Sequence, residues 1–473
     1  MSFSLNGGLL AMEEIDNGED LGEVEAAEVA VTVADESAEI QNDNTDIGIE
    51  VGKVEDAVQA GEELESLGEL AADSLENGEG LSEETAEAVS IAVESILNRL
   101  GASRETRTVP VAESFGNSSS RRVSTKLVVE GIGDWLKKVW ASIKAASIRL
   151  WDKVRLFLAN IFKSGKSLVN HLSALRKRVA EVPAGYVKKK KKIKAKSLAT
   201  AIAMGKVADL STFEKNLDSA SRLSSLSKAV SQHIAKIVDT AASIRNVGDF
   251  SEATLNAFVK SSSDANLAIF KAVDDAAGTA VTMSEAQLNG VSVKGLKAED
   301  GVEHKVYGPY PGSSALVATI TKRDAGATRT STGLNIRFQG VGKKGPSVVT
   351  ALDKGEIMKV IEESMKAANA LADFQATQKN LEKMAKDQQK VADNVLKEVS
   401  KIVSKTGGSS ETRLGLKEMQ ETVRSSLTLL NTFGNNAPSM QFRAVRAGAD
   451  YASICLRNLG PAGSEGEDDT DEE

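Results

Sequence analysis

The chain has 473 residues, 4% of them aromatic, seven prolines and a formal net charge of −9. That length has room for two or three domains; the scarcity of aromatics argues against a large aromatic-rich core, and abundant Ala, Ser, Lys, Glu and Leu favour helices. The single cysteine, Cys455, excludes an internal disulfide and a Cys-based zinc site, and there is neither an apolar run long enough to span a bilayer nor a cationic-then-apolar start that would mark a secretory signal.

Residues 1–113 carry 29 acidic and 4 basic side chains, a net of −25. Phe3 is the only aromatic there, and no proline precedes Pro110. The stretch 13–76 is acidic, rich in Ala and Val, and broken by Gly. Its apolar area is too small to offset the entropy of ordering it, so a disordered acidic arm is expected. One short helix is expected over 82–100, opened by Ser82 with Glu83 and Glu84 in its first turn, and with Ile91, Ile96 and Leu100 as its apolar face. Residues 114–130 are Ser-rich and are expected to form a flexible joint.

From Gly131 the pattern changes. Ile132, Leu136, Val139, Ile143, Leu150, Val154, Phe157 and Ile161 recur at helical spacing and fall on one stripe. Trp140 and Trp151 lie on one margin of that stripe, and Trp135 on the other. Lys137, Lys138, Lys144, Arg149 and Arg155 lie outside it, so the helix has an apolar seam and a cationic back. Leu168, Leu172, Leu175 and Val179 extend it towards Val182, where Pro183 stops it. Gly165-Lys166-Ser167 invites a phosphate-loop reading. It fails because residue 160, where the motif needs its first glycine, is Asn, and no strand precedes it.

The lysine run follows, with Lys188, Lys189, Lys190, Lys191, Lys192, Lys194 and Lys196 inside eleven residues. Such a run is a solvated loop or a sequence-independent counter-charge for phosphates. A helix is expected from Ser211, with Glu214 completing a capping box and Phe213, Leu217, Leu223, Val230, Ile234, Ile237 and Ile244 on its apolar face; His233 sits at the margin of that face. Two helices are expected over 251–259 and 263–283. From Gly290 the period becomes two, and VSVKGLK, VEHKVYG, SALVATITKR and GLNIRFQG read as a four-stranded antiparallel meander with exposed glycine-rich turns at GPYPG and GVGKKGP. A helix of about fifty residues is expected from Lys354, with coiled-coil-like spacing and alanines in its seam. Two more are expected over 411–433 and 438–459, with Cys455 as a small buried hydrophobe.

Residues 114–460 carry 31 acidic and 54 basic side chains, a net of +23, and residues 461–473 form an acidic tail of net −7. The expected fold class is therefore mainly α: a disordered acidic segment 1–113, a joint 114–130, a basic helical region 131–289, a small antiparallel β insert 290–350, a long helix with two partners 351–460, and a disordered tail. An acidic head on a basic body suggests a body built for a polyanion and a head that shields it.

No catalytic or metal-binding motif stands out. There is no HExxH, no GxSxG and no Cys/His cluster, and acidic pairs such as Asp274-Asp275 point to different helix faces. The expectation is a protein that is not an enzyme, with no cofactor and no metal.

The junction VAESFGNSSSRRVSTKLVVEGIGDWLKKVWASIKAASIRLWDKV resembles that of the internal head, or prohead core, proteins of large contractile-tailed bacteriophages. The resemblance implies a virion structural protein of the capsid interior, present in the bacterial cytoplasm during assembly, whose acidic propeptide is removed by the prohead protease. That protease cuts after Glu with a small or apolar residue two positions earlier. Val111-Ala112-Glu113 before Ser114, Val128-Val129-Glu130 before Gly131, and Ala92-Val93-Glu94 before Ser95 fit, although the large aliphatic Leu or Ile that some members use is absent from all three. Glu113 comes first because it lies at the charge switch. The implied partners are packaged double-stranded DNA bound without base readout, the protease, the major capsid or other core proteins, and further copies of the chain. Two rival readings stand beside it. In one, 131–162 is a membrane-active helix ejected with the genome, Trp135, Trp140 and Trp151 lying at headgroup depth. In the other, the chain is a non-phage helical scaffold that binds nucleic acid through the lysine run.

Overall fold

The computed structural model describes residues 21–100, 115, 118–203, 208–244, 251–277, 281–282, 287–288, 291–292, 300–310, 314–324, 330–340, 346–372, most of 382–394, and 410–463. The described chain is mainly helical with small antiparallel sheets. Helix α1 is Leu21–Asn77, α2 Glu83–Arg99, α3 Ser118–Glu181, α4 Lys196–Ile202, α5 Leu210–Ser243, α6 Glu252–Ala277 and α7 Lys354–Ala372. Helix α8, Ser410–Leu429, runs through a π-helical segment, Leu430–Asn436, into α9, Ala437–Arg457.

The acidic segment departs most from expectation. Leu21–Asn77 is a helix of 57 residues, not an unfolded arm. It is ordered by its partners rather than by its own apolar area. Ile47, Val51, Val54, Val58 and Leu64 are buried in the common core, with Ala57, Ala60, Ala71 and Ala72 between them. Gly61 is buried opposite Val139, where a Cβ would meet the valine methyl at 3.5 Å. Small residues there let two backbones approach closely, so the large side chains of α3 supply the area that α1 lacks. Residues 1–20 lie outside the described residues.

Helix α2 opens as expected: the Ser82 hydroxyl accepts from the Thr85 N–H at 3.2 Å. Its buried face is Ala86, Val89, Val93, Ile96 and Leu97, and Ile91 points to solvent. The joint expected to be flexible is helical from Ser118, which makes α3 a helix of 64 residues. Val128 and Val129 are buried, so apolar packing already begins before Gly131. Pro183 stops α3, and the Lys354 ammonium donates to the terminal carbonyls of Val182 (2.5 Å) and Ala180 (3.3 Å), a cation at the negative end of the helix.

Asp209, rather than Ser211, caps α5, accepting from the Thr212 N–H at 2.8 Å. The two helices expected over 251–283 are one, α6, ending at Ala277. The β region holds three long strands of the expected meander: β1 Val302–Tyr310, β2 Ser314–Asp324 and β3 Thr330–Gly340. The fourth strand differs. Val281–Thr282 pairs with β1 at the edge, while Val291–Ser292 turns back onto Gln287–Leu288. Three of the five residues of GPYPG belong to β1: Gly308 has φ +124°, open to glycine, at a bulge that buries Tyr310. The free edge of β3 is closed by side chains. Ser263 accepts from the Thr332 N–H, Asn266 donates to the Thr332 carbonyl and Thr432 to that of Ile336.

The expected fifty-residue helix is described as α7 followed by helical turns within 382–394; 373–381 and 395–409 lie outside the described residues, as does most of GVGKKGP. The expected break before Pro438 is absent. The proline cannot donate to the preceding turn, and the helix widens instead of stopping, with Ser227 donating to the Phe433 carbonyl at 2.5 Å. Gly448 of α9 lies where α5 and α7 meet it. An added Cβ would lie 2.7 Å from Phe213 Cζ and would overlap the Ser364 hydroxyl. Gly448→Ala is therefore expected to cost about 1–3 kcal/mol, read as a lowered midpoint of thermal unfolding by circular dichroism.

Candidate functional site: an acidic helix docked on a basic one

Helix α1 runs antiparallel to α3 along the segment that carries the tryptophans. Asn160 donates to Asp43 at 2.8 Å, Lys153 pairs with Asp46 at 2.5 Å and Arg149 with Glu50 at 3.2 Å. Further along, Gly61 faces Val139, and the Leu81 N–H donates to Thr125 Oγ1 at 2.9 Å. The other side of α1 meets α8: Thr428 donates to Glu55 at 3.1 Å and Gln420 to Glu65 at 3.0 Å. The most acidic helix of the chain is thus wedged between two others, with its carboxylates on their cations, hydroxyls and amides.

Two of these carboxylates titrate abnormally. Burial pushes Glu50 up, but hydrogen bonds from Lys53 and Arg149 outweigh it, and its pKa is held below the usual range. Glu65 goes the other way, to about 7. Burial is the main cause; repulsion from Glu69 and Glu62 adds to it, and the Gln420 hydrogen bond and Lys417 oppose it. A carboxyl whose folded pKa is raised binds more protons folded than unfolded between its ordinary value and about 7. Its contribution to stability is therefore complete below that window and lost as pH rises through it. His171, lowered chiefly by burial, has the opposite sign between its folded pKa and its ordinary value. The informative comparison is therefore native against Glu65→Gln. The melting temperature of Glu65→Gln is expected to gain on that of the native chain as pH rises from about 5 to about 8.

The expected seam lies in this core. Ile143 is 1% exposed, Phe157 0%, Trp140 1% and Trp135 6%, while Trp151 is half-buried against the same cluster. The Lys138 ammonium sits 4.3 Å from the centre of the Trp135 ring. The seam therefore faces protein, and among the described residues no helix is long and apolar enough to cross a membrane. Gly165, from the rejected phosphate-loop reading, is buried inside α3 against Ala368 and Leu371 of α7.

The lysine run is not a loose loop. Tyr186–Lys188 pairs with Leu459–Pro461, and Lys192–Lys194 with Val348–Thr350, both antiparallel. Asn458 clamps the turn between them: its backbone carbonyl accepts from the Lys189 N–H at 2.8 Å, its side-chain oxygen from the Lys190 N–H at 3.2 Å, and its amide donates to the Lys190 carbonyl at 2.8 Å. Lys188 pairs with Glu356 at 3.1 Å. Lys189, Lys190, Lys191, Lys192, Lys194 and Lys196 are exposed. The backbone is fixed while these side chains are exposed, an arrangement that presents charge without base readout.

The three expected cut sites differ in setting. Glu94 lies inside α2 and Glu130 inside α3, with Gly131 buried. A protease needs extended chain, so those two require local unfolding. Glu113 and Ser114 lie outside the described residues, between the end of α2 and Phe115. Phe115 is buried, and its carbonyl accepts from Arg121 at 2.7 Å. The start of α3 and the lysine run beyond its end are separated by the length of that 64-residue helix, about 95 Å at 1.5 Å per residue, so they are not one site.

Sequence reasoning missed Glu50, Glu65 and Asn458. Residues 47, 51, 54, 58 and 61 step by four and three, and that spacing was the available signal for α1; Asn458 gave none. Cys455 is buried, its thiol pushed up to about 11 mainly by burial, and its sulfur accepts from the Leu352 N–H at 3.4 Å. No cluster of potential metal ligands occurs among the described residues.

No curated protein and no solved structure matches the chain. The family profile of the phiKZ-like phage internal head proteins matches residues 13–453, which takes in the acidic helix, the tryptophan helix, the sheet and the closing helices alike. With almost its whole length matched, the chain belongs to the phiKZ-like phage internal head proteins.

Proposed function

We propose that this structural protein is packed into the immature head with its acidic segment in place, is cut after Glu113 by the prohead protease, and then associates through its basic body with packaged DNA. Membership of the family gives the setting, the interior of the virion capsid. The single observation that carries the rest is the partition of charge: −25 before Ser114 and +23 over residues 114–460, with the acidic helix seated on the basic one. A body so charged gains affinity for a polyphosphate by releasing counter-ions, and the acidic segment opposes that gain while it stays bound. The exposed lysines beyond α3 are the part of the body best suited to phosphate, and the inner shell and further copies of the chain are its other partners.

Intact mass of the protein from purified particles tests the processing. A chain starting at Ser114 is the expected result. A chain starting at Gly131 would move the cut to Glu130 and require α3 to open, and an uncut chain would overturn the proposal.

A further inference from the structure

Contacts made outside the joint that the protease is proposed to cut hold the acidic segment to the body. Asp43, Asp46 and Glu50 reach α3, and Glu55 and Glu65 reach α8, from positions well before residue 101. Between these polar pairs run Ile47, Val51, Val54, Val58 and Leu64, all buried in the common core. Gly80, with φ +95° and packed against the Arg121 carbonyl, fixes the turn after α1 to the start of α3. None of these contacts passes through residues 101–114.

We propose that the groove between α3 and α8 is a binding site for the acidic helix as a separate chain: a cut at the 113–114 joint leaves Leu21–Asn77 seated, and the charge mask lifts only when a further step acts on α1 itself. The inference rests on the proposed function for the place of the cut and for the masking role. Severing a tether removes an effective concentration on the order of millimolar, but it breaks no contact. It also leaves the charge of the pair close to that of the intact chain, −9, so the cut by itself gives the body no new affinity for DNA. The ion pairs at Glu50 and Asp46 weaken in high salt, where the Debye length falls to about 3 Å at 1 M. The apolar row between them does not weaken. A segment held by charge alone would leave in salt, whereas one held by this row stays.

The test uses the full chain with a recognition sequence for a site-specific protease inserted within 101–114. After complete cutting, the two fragments are expected to co-elute one to one on size exclusion, at about 0.15 M salt and again at about 1 M. The helical signal is expected to be unchanged, and retention of random-sequence DNA to equal that of the uncut chain. Urea below the unfolding midpoint of the body is then expected to free the acidic fragment. Elution of the acidic fragment by itself in native buffer would overturn the proposal. If the fragment leaves and DNA retention rises, docking fails while the masking role stands. If it stays until urea strips it and retention still does not rise, docking stands while the masking role fails.

Discussion

Trp140→Ala is expected to cost about 3–5 kcal/mol, the usual range for removing a buried aromatic from a core. The side chain is 1% exposed and sits among Leu136, Val139 and Ile143 in the α3 seam, so the void cannot fill from solvent. Its indole N–H is buried without a hydrogen-bond partner among the described residues. Trp140→Phe therefore removes an unsatisfied donor along with part of the ring, and should cost much less than the alanine variant. Trp151 is only half-buried, and its alanine variant should fall well below that of Trp140. Thermal unfolding followed by circular dichroism reads the order Trp140→Ala, Trp151→Ala, Trp140→Phe. The same series separates the core role of this helix from a membrane role. If α3 offered its seam to a bilayer, Trp140→Ala would leave the melting curve in place and weaken binding to anionic vesicles.

That seam was legible because its buried residues are large and regularly spaced. Ile132, Leu136, Ile143, Leu150 and Phe157 declare a face in any window of the sequence. The three long strands were legible for the same reason at period two. Helix α1 was not, and the reason is physical. Its contacts are made by Ala57, Ala60, Gly61 and Ala71 as much as by Val54 or Leu64, and small residues contribute little area of their own. The entropy of ordering such a segment is offset by side chains on α3 and α8, which composition within 1–113 cannot reveal. As a free arm the segment would spread its charge as a cloud around the body. In the fold the charge is aimed instead: Glu50 on Arg149, Asp46 on Lys153.

The lysine run was legible as charge and illegible as structure. Nothing near it announces two short ladders or a clamp by Asn458, which lies 268 residues along the chain from Lys190. The short strands also run against propensity, since lysine is depleted in strands. Their pairing rests on partners brought in by the ends of α9 and of the β region. The joint at Glu113 rests on sequence alone, on the charge switch on either side of it.

The largest functional effect is expected from comparing the uncut chain with the body freed of its acidic segment. Taking the −25 of residues 1–113 from the −9 of the whole leaves +16 for residues 114–473. Each phosphate neutralised on duplex DNA steepens the dependence of log affinity on log salt by about 0.9. A body that neutralises six to ten phosphates would lose roughly 10³–10⁵ in affinity between 50 and 200 mM salt, whereas the uncut chain, with net negative charge, should show weak binding and a shallow slope. Filter binding of random-sequence duplex DNA over that salt range measures both. Replacing Lys189, Lys190, Lys191 and Lys192 by Gln should flatten the slope of the freed body by about 0.9 for each phosphate it no longer neutralises. Sequence preference should not change, because ammonium groups on a fixed ladder read charge rather than bases. Equal retention of DNA by the uncut chain and the freed body at low salt would remove the acidic helix from any role in controlling DNA association and leave it a core element alone.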